Sequence, residues 1–365
     1  MAASLEPSRA VNLKDRAAWR NALESPRPVL AHLNGDTTWL LQLPIPSSAR
    51  GAFAGARSEI KKAARRSRFN ILIDPWLQGP QSDVASWFST QWHVVEPAVQ
   101  TIQELEEALS DLEDGDATAA STRIDCVAIS HEFTDHCHQT TLMELPRGVP
   151  IIATEKAAGL IRSWGHFDTV KVTPGFSSAT TDWRDVLVDQ TGTLPPWLGI
   201  GRVITEGNAL YYHSAMIIAF DLGYSHNQRA TRSKDTAPQQ QSEAVIYSPH
   251  GIKGPDLECV RAAGIKTLAL LHGLDDVRIW MTAQLNLGAL NGIQAVRASG
   301  AKYWVATHDE VKKGGGFISW LLQRTTYSLR DAVEAEKAKE QEIEGDKSPD
   351  YKFVELGSGD GMILA

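Results

Sequence analysis

Short apolar runs separated by polar turns recur along the chain and predict many β-strands. The runs VLAHL and TWLLQLP flank Asn34-Gly35-Asp36, and a turn of this kind between two apolar runs predicts a β-hairpin. Buried strands are also predicted for FNILI, DCVAI, AVIYS, KTLALL and KYWVA. The chain is therefore expected to build its core mainly from sheets.

Helical spacing of apolar residues appears between these runs. It predicts helices from Val99 to Leu112, around Gln284 to Ala298, and from Ile318 to Lys339, whereas residues 183–205 look irregular. Strands at both ends with helices between them favour an α/β fold, a four-layer αββα sandwich of two mixed β-sheets. A single doubly wound sheet is the alternative, but no GxGxxG follows the first strand.

The domain limits follow from the same pattern. Residues 1–27 are expected to be a lead-in, residues 28–345 a single domain, and residues 346–365 an acidic C-terminal tail. The polar segment 226–243, HNQRATRSKDTAPQQQSE, predicts a mobile loop inserted between strands. Such a loop could close over a substrate or could be a disordered insertion.

The composition of the chain argues against some classes of binding partner. A net charge of −8 argues against nucleic acid, and no apolar run is long enough to span a membrane. Three cysteines without a CxxC spacing indicate a reducing compartment, so a cytoplasmic protein with a small-molecule substrate is expected. The sequence leaves the oligomeric state open.

Histidines follow or end several of the predicted strands, at their polar ends. Strand ends gather at one edge of a sheet, and imidazole and carboxylate are ligands that suit zinc, iron or manganese. The alternative is that each histidine bonds only to nearby backbone. The five histidines in question are His131, His213, His250, His272 and His308.

The segment ISHEFTDHCH, residues 129–138, resembles the HxHxDH signature of the metallo-β-lactamase superfamily. The resemblance continues in ILIDPWL, LYYHSAMIIAFDL, AVIYSPHGI and YWVATHDE, and it covers about residues 28–325. The DPW strand is most similar to the branch of ascorbate-phosphate lactonase-like hydrolases. The resemblance implies a metallo-β-lactamase-like fold and a metal centre.

The ligand set is carried over from this resemblance. In the superfamily, one metal is held by the HxH pair and a third histidine, and a second by the Asp-His pair and the last histidine. Two positions depart from the pattern, since Phe133 replaces the second histidine of HxH and His250 replaces the bridging aspartate. We therefore expect a single divalent ion, zinc with iron or manganese as alternatives. Its predicted ligands are Asp135, His136, His250 and His308.

The remaining polar residues have expected roles around that ion. His131 and His213 would be catalytic, as general base or acid, or would only hydrogen-bond behind the ligands. Asp74 and Asp309 are candidates for orienting ligand imidazoles. The residues expected to contact substrate are Phe133, Trp76, Trp87, His272, Asp276 and Trp280.

The function predicted from these residues is hydrolysis of a small-molecule ester, lactone, thioester, amide or phosphoester by a metal-activated water. A non-hydrolytic metal enzyme on the same fold, such as an isomerase, a lyase or a redox enzyme, is the first alternative. The second is a descendant that binds a ligand without catalysis, which the substitution at Phe133 suggests.

Overall fold

The computed structural model describes most of the chain. Its described residues are 10–49, 66–82, 87, 89–112, 122–177, 182–189, 191–205, 212–225, 242–279, 283–315, 322–340 and 351–365.

The strands are numbered in chain order. They are β1 (Ala10–Asn12), β2 (Val29–His32), β3 (Trp39–Pro44), β4 (Arg68–Ile73), β5 (Thr90–Trp92), β6 (Cys126–Ile129), β7 (Ile151–Ala153), β8 (Val170–Val172), β9 (Leu198–Ile204), β10 (Ser214–Phe220), β11 (Glu243–Ser248), β12 (Lys266–His272), β13 (Asp276–Ile279), β14 (Ala283–Asn286), β15 (Tyr303–Val305), β16 (Lys313–Gly315), β17 (Leu322–Thr325), β18 (Lys352–Val354) and β19 (Asp360–Ile363).

The helices are numbered in the same way. They are α1 (Arg16–Leu23), α2 (Ile102–Leu112), α3 (Gln139–Met143), α4 (Glu155–Ser163), α5 (Trp183–Leu187), α6 (Glu258–Ala262), α7 (Ala289–Ser299) and α8 (Leu329–Glu340), with a 3₁₀ turn at Gly254–Leu257. Within the described ranges, no helix has the length and apolar content that a bilayer-spanning segment requires.

The first large sheet is mixed and has the strand order β1-β19-β2-β3-β4-β6-β7-β8. Its pairs are antiparallel from β1 to β4 and parallel from β4 to β8. Parallel strands place their carboxyl ends on one edge of a sheet. The neighbours β4 and β6 therefore bring Asp74 and the loop that begins at Ser130 to the same edge.

The second large sheet is also mixed, with the order β18-β15-β12-β11-β10-β9. Strands β18, β15, β12 and β11 are parallel, and β10 and β9 are antiparallel to their neighbours. The carboxyl ends of β11, β12 and β15 therefore share an edge, where the chain reaches His250, His272 and His308. The expected convergence of strand-end histidines begins with this topology.

Three apolar clusters separate four layers. One cluster lies between the first sheet and helices α1 to α4, with Trp19 and Leu105 buried in it. A second lies between the two sheets, and a third packs the second sheet against α5, α6 and α7. The predicted αββα sandwich of two mixed sheets is confirmed.

The hairpin turn at Asn34-Gly35-Asp36 ties the two sheets together at the edge that carries the histidines. The predicted hairpin is formed by β2 and β3. Just beyond the turn, Trp39 Nε1 donates to Thr307 Oγ1 at 2.9 Å, and Asp36 O accepts from the backbone N–H of His308 at 2.9 Å. The turn is buried between the sheets, although turns of this composition are usually exposed.

Some segments differ from their predictions. Residues 183–205 contain α5 and β9, not irregular chain. The last predicted helix is observed as α8, preceded by β17, and the helix expected around Gln284 begins at Ala289, after β14. The expected lead-in and tail also contribute strands to the large sheets, namely β1, β18 and β19. Most of the 226–243 loop lies outside the described residues.

Substitution of a glycine in α7 would test how closely this helix packs against the second sheet. A Cβ at Gly292 would lie 2.4 Å from Trp304 Cζ2 and 3.1 Å from His272 Nδ1, and Trp304 cannot swing away because it is fully buried. Gly292→Ala improves helix propensity by about 1 kcal/mol, but overpacking costs about 1–3 kcal/mol. We expect a net loss of about 1–2 kcal/mol in the free energy of unfolding, measured in urea.

The matched control for this substitution is Gly159→Ala in α4, where the added Cβ meets nothing within 4 Å. With no clash, only the propensity gain of about 0.5–1 kcal/mol should remain. Equal effects at the two positions would contradict the packing described for Trp304.

Candidate metal centre

His136 is the histidine that the surrounding chain fixes most completely. Its ring is fully buried, and Nδ1–H donates to Asp74 Oδ2 at 2.7 Å. Asp74 also accepts the backbone N–H of Ser130 at 2.7 Å and the Ser130 hydroxyl. In the part of the chain that the structure describes, His136 Nε2 is buried and has no hydrogen-bond partner. Its lone pair is therefore available to a ligand.

His250 repeats this arrangement from the second sheet. Its Nδ1–H donates to Asn286 Oδ1 at 2.7 Å, and its Nε2 is likewise buried without a partner among the described residues. Burial lowers the pKa of His250 well below the ordinary value, and the nearby His136 and His308 lower it further. The ring is therefore neutral at neutral pH, as a metal ligand must be.

His308 is oriented by a carboxylate from the hairpin turn. Its Nδ1–H donates to Asp36 Oδ1 at 3.0 Å, and its Nε2 lies 3.8 Å from Asp135 Oδ2. Its backbone has a φ of 61°. Asp74, with a φ of 43°, is the other non-glycine residue of the described chain in the left-handed region. Strained backbone of this kind concentrates at functional sites.

His131 completes the set of rings. Its Nε2–H donates to the backbone carbonyl of Tyr212 at 3.0 Å, and its Nδ1 lies 2.9 Å from Ser130 Oγ. Burial lowers the pKa of His131 well below the ordinary value, so the ring is neutral.

These side chains form two overlapping groups of possible ligands. Within each group the ligand atoms lie within 4.8 Å of one another, and His136 belongs to both. His136, His250 and His308 direct Nδ1 at an oxygen, and Nε2 of His136 and His250 is left for a ligand, which is the arrangement typical of metal-binding histidines. The groups are His131, His136 and His250, and Asp135, His136 and His308.

The predicted ligands are therefore brought together, but not as one compact set of four. Asp135, His136 and His308 share one group, whereas His250 belongs to the other with His131. The ring centroids of His250 and His308 are nevertheless only 5.0 Å apart.

A lysine and an aspartate that no sequence pattern singled out also join the centre. Lys312 Nζ lies 2.6 Å from Asp36 Oδ2 and 2.9 Å from Asp135 Oδ2, and both carboxylates are buried. Burial alone raises the pKa of each of these two carboxyls, but Lys312 outweighs it and the pKa values are lowered. Asp36 was expected only in a hairpin turn. Its long-range contacts could not be read from that signal.

Asp74 and Asp309 were expected to orient ligand imidazoles. Asp74 bonds to His136, but Asp309 turns away from the histidines and accepts the backbone N–H groups of Leu274 and Asp275 at 2.8 and 3.0 Å. Burial raises the pKa of Asp309 to about 8. The left-handed turn at His308 sends Asp309 towards this loop, and Asp36 bonds to His308 in its place.

His213 lies behind the centre and outside both ligand groups. Its Nδ1–H donates to His250 O at 3.1 Å, and the ring is half-buried. Burial lowers the pKa of His213, so its neutral form dominates at neutral pH. Its contact with the backbone of His250 places it next to a candidate ligand.

Three of the residues expected to contact substrate are aromatic side chains. Phe133 is half-buried, and its ring centroid lies 5.1 Å from that of Tyr212 and 5.9 Å from that of His250, so it forms an apolar wall. Trp76 is fully buried, stacks on His93 and lies 5.4 Å from Lys312 Nζ. Trp87 is 73% exposed.

The other three expected substrate contacts follow β12. His272 is fully buried, and its ring nitrogens lie 2.8 Å from Gly273 O and 2.9 Å from Asn291 Oδ1, so it packs beneath the loop that follows β12. Asp276 is half-buried at the start of β13 and accepts from Gln284. Trp280 lies outside the described residues.

The buried histidines make the stability of the metal-free protein depend on pH. The pKa values of His131, His250 and His308 are lowered by burial, whereas that of His136 is raised because Asp135 and Asp74 outweigh burial. In the unfolded chain each titrates near 6.5. Three of these pKa values are lowered in the folded protein and one is raised. The unfolded state therefore binds more protons than the folded state below about pH 6.5, and the free energy of unfolding decreases there.

We therefore expect the Tm of chelator-treated protein to fall between about pH 7 and about pH 5. His250→Gln, which removes one neutral buried imidazole, should flatten this dependence. A Tm that is constant or rises over the same interval would show that these rings are not held neutral in the folded state.

No protein-family model matches the chain, and no curated protein matches it in sequence. Solved structures are similar in fold. The isothiocyanate hydrolase from Delia radicum gut bacteria is 14% identical, with a TM-score of 0.49 over 92% of this chain and 98% of that one. A possible metal-dependent hydrolase from Veillonella parvula is 11% identical, with a TM-score of 0.47 over 93% and 100%.

The metallo-beta-lactamase fold protein YhfI from Bacillus subtilis is also similar, at 11% identity and a TM-score of 0.42 over 92% of this chain and 98% of that one. At these identities and TM-scores the similarity carries no information on reaction or substrate. The chemistry of this chain has to be inferred from its own side chains.

Proposed function

We propose that the chain is a metal-dependent hydrolase that cleaves an ester, lactone, thioester, amide or phosphoester bond of a small molecule at a single-metal centre. The observation that carries this proposal is the pair of buried Nε2 atoms on His136 and His250. Each lacks a partner among the described residues, and in each ring the opposite nitrogen is fixed by Asp74 or Asn286. Leaving such atoms unpaired costs free energy, which a bound cation would recover.

The donor set fits a divalent transition metal. His131, His136 and His250 offer three ring nitrogens within 4.8 Å of one another, and three protein nitrogens with an open position are typical of catalytic zinc. Iron and manganese also accept imidazole and carboxylate ligands. This assignment favours His131 as a ligand over its predicted role in proton transfer, with Asp135 and His308 beside the ion.

The ion and the side chains of the protein would have separate roles in catalysis. When bound, the ion would polarise a carbonyl or phosphoryl oxygen and lower the pKa of a coordinated water. Asp74 and Asn286 hold the rings of His136 and His250 in the tautomer that leaves Nε2 for the ion. His213, whose ring bonds to the backbone oxygen of His250, is proposed to support that ligand from behind, the second of the two roles expected for it.

The aromatic side chains beside the histidines favour a small organic substrate. Phe133 and Tyr212 place aromatic rings beside His250, and an apolar wall of this kind suits an acyl or aromatic portion of a substrate. The overall charge of −8 disfavours a polyanionic substrate such as nucleic acid.

The proposal is tested with protein purified with zinc, iron or manganese and assayed on chromogenic esters, lactones, thioesters, amides and phosphoesters. We expect about one equivalent of metal and turnover of at least one class, with turnover lost in chelator and restored by metal. Metal-loaded protein that hydrolyses no member of the panel would contradict the hydrolase assignment and favour non-hydrolytic chemistry. Protein that takes up no metal would contradict the assignment as a whole.

A further inference from the structure

Lys312 is a buried side chain whose charge is paired with two carboxylates of the centre. It is 8% exposed and contacts Asp36 and Asp135 at 2.6 and 2.9 Å, with the Trp76 ring 5.4 Å from Nζ. The ammonium group is therefore a cation held between two acids.

The Lys312 ammonium group contacts one of the two ligand groups and not the other. Asp135 Oδ2, which accepts from Lys312, is also the atom 3.8 Å from His308 Nε2, and Asp135 Oδ1 lies 3.6 Å from His136 Nε2. The only carboxylate of the two groups is thus already paired with a cation. The group of His131, His136 and His250 has no such partner.

The charged side chains around the histidines also favour a single divalent ion. Asp36, Asp74 and Asp135 contact the rings of His136 and His308 and carry three negative charges. Lys312 and one divalent ion balance them, whereas a second divalent ion would leave two positive charges uncompensated in a buried site. Uncompensated buried charge is strongly unfavourable.

We propose that Lys312 supplies a positive charge on the Asp135 side of the centre and so limits the centre to one divalent ion, held by His131, His136 and His250. The inference rests on the proposed metal centre. It assigns to a side chain of this protein the charge that a second ion would otherwise supply.

The experiment compares zinc binding by the wild-type protein with that of Lys312→Met, which keeps the length of the side chain and removes its charge. After equilibration with zinc and desalting, we expect about one equivalent in the wild type and more than one in Lys312→Met, or the same single ion bound about tenfold or more tightly. Lys312→Arg, which keeps the charge, should bind one equivalent with wild-type affinity.

A second variant controls for the buried charge itself. Asp36→Asn combined with Lys312→Met restores the balance and should return zinc binding to the wild-type value. If Lys312→Met is unstable alone, zinc added during refolding should restore its fold, because the ion replaces the lost charge. Failure to fold in zinc would overturn the proposal.

The outcomes separate the two levels of inference. A wild-type protein without bound metal would remove the proposed function. A wild type with one zinc and a folded Lys312→Met variant with the same stoichiometry and the same or weaker affinity would remove only the role given to Lys312.

Discussion

Replacing His136 with alanine is expected to abolish metal binding and, with it, hydrolysis. His136 is the only residue shared by the two groups of possible ligands in the described chain, so its loss disrupts both. Substitutions behind a ligand already weaken metal binding by about 10–100-fold, and loss of the central ligand should exceed that range. Elemental analysis of the purified variant and its rate on the best substrate of the panel measure the two effects.

The matched control for this variant is His138→Ala, two residues further along the chain. His138 is also buried, but its Nδ1 caps helix α3 through Thr141 and it belongs to neither ligand group. The control should lose about 1 kcal/mol of stability through the lost cap and keep its metal. If His136→Ala kept wild-type metal content, the centre described here would be wrong.

Removal of the Asp36 carboxylate is expected to produce the largest loss of stability. Asp36 is fully buried and accepts from both His308 Nδ1 and Lys312 Nζ. In Asp36→Ala the ammonium group keeps only Asp135, and breaking a buried pair by removing one partner typically costs about 3–5 kcal/mol. We expect a decrease of about 3 kcal/mol in the free energy of unfolding, measured by urea denaturation.

Asp36→Asn separates the charge from the hydrogen bond. The amide oxygen can still accept from His308, so this variant should lose less stability than Asp36→Ala and keep the orientation of the ring. A loss below about 1 kcal/mol in Asp36→Ala would indicate that the Lys312 pair is solvated and contributes little, as surface ion pairs do.

The strand ends and their histidines could be predicted from the sequence because both signals are local. An apolar run such as KTLALL identifies a strand, and a histidine after it lies at the carboxyl edge wherever that strand is placed. Parallel pairing of β11, β12 and β15 then brings His250 and His308 to a common edge. The four-layer architecture follows from the same runs.

Strand β9 could not be predicted, for a physical reason. It contains Gly199 and Gly201, which weaken the apolar pattern of the strand. A Cβ at these positions would lie 2.5 and 2.3 Å from side-chain atoms of Leu187. The glycines therefore let helix α5 pack closely on the sheet, and this packing is a tertiary requirement that the local sequence does not reveal.

The contacts of Lys312 and Asp36 were missed because they join distant parts of the chain. The asparagine-glycine turn predicted only a hairpin, whereas the approach of the second sheet buries the turn against His308. The displacement of Asp309 has the same origin, since the left-handed backbone at His308 decides which aspartate faces the ring. Local signals thus located the edge of the site and Asp74, but not the contacts of Asp36 and Lys312.

The central claim is that the buried histidine nitrogens hold one divalent ion, and counting the metal in the wild-type protein tests it most directly. The protein is equilibrated with zinc, separated from unbound zinc and analysed by elemental mass spectrometry. It should contain about one equivalent of zinc per chain. A content near zero, or near two equivalents, would contradict the account.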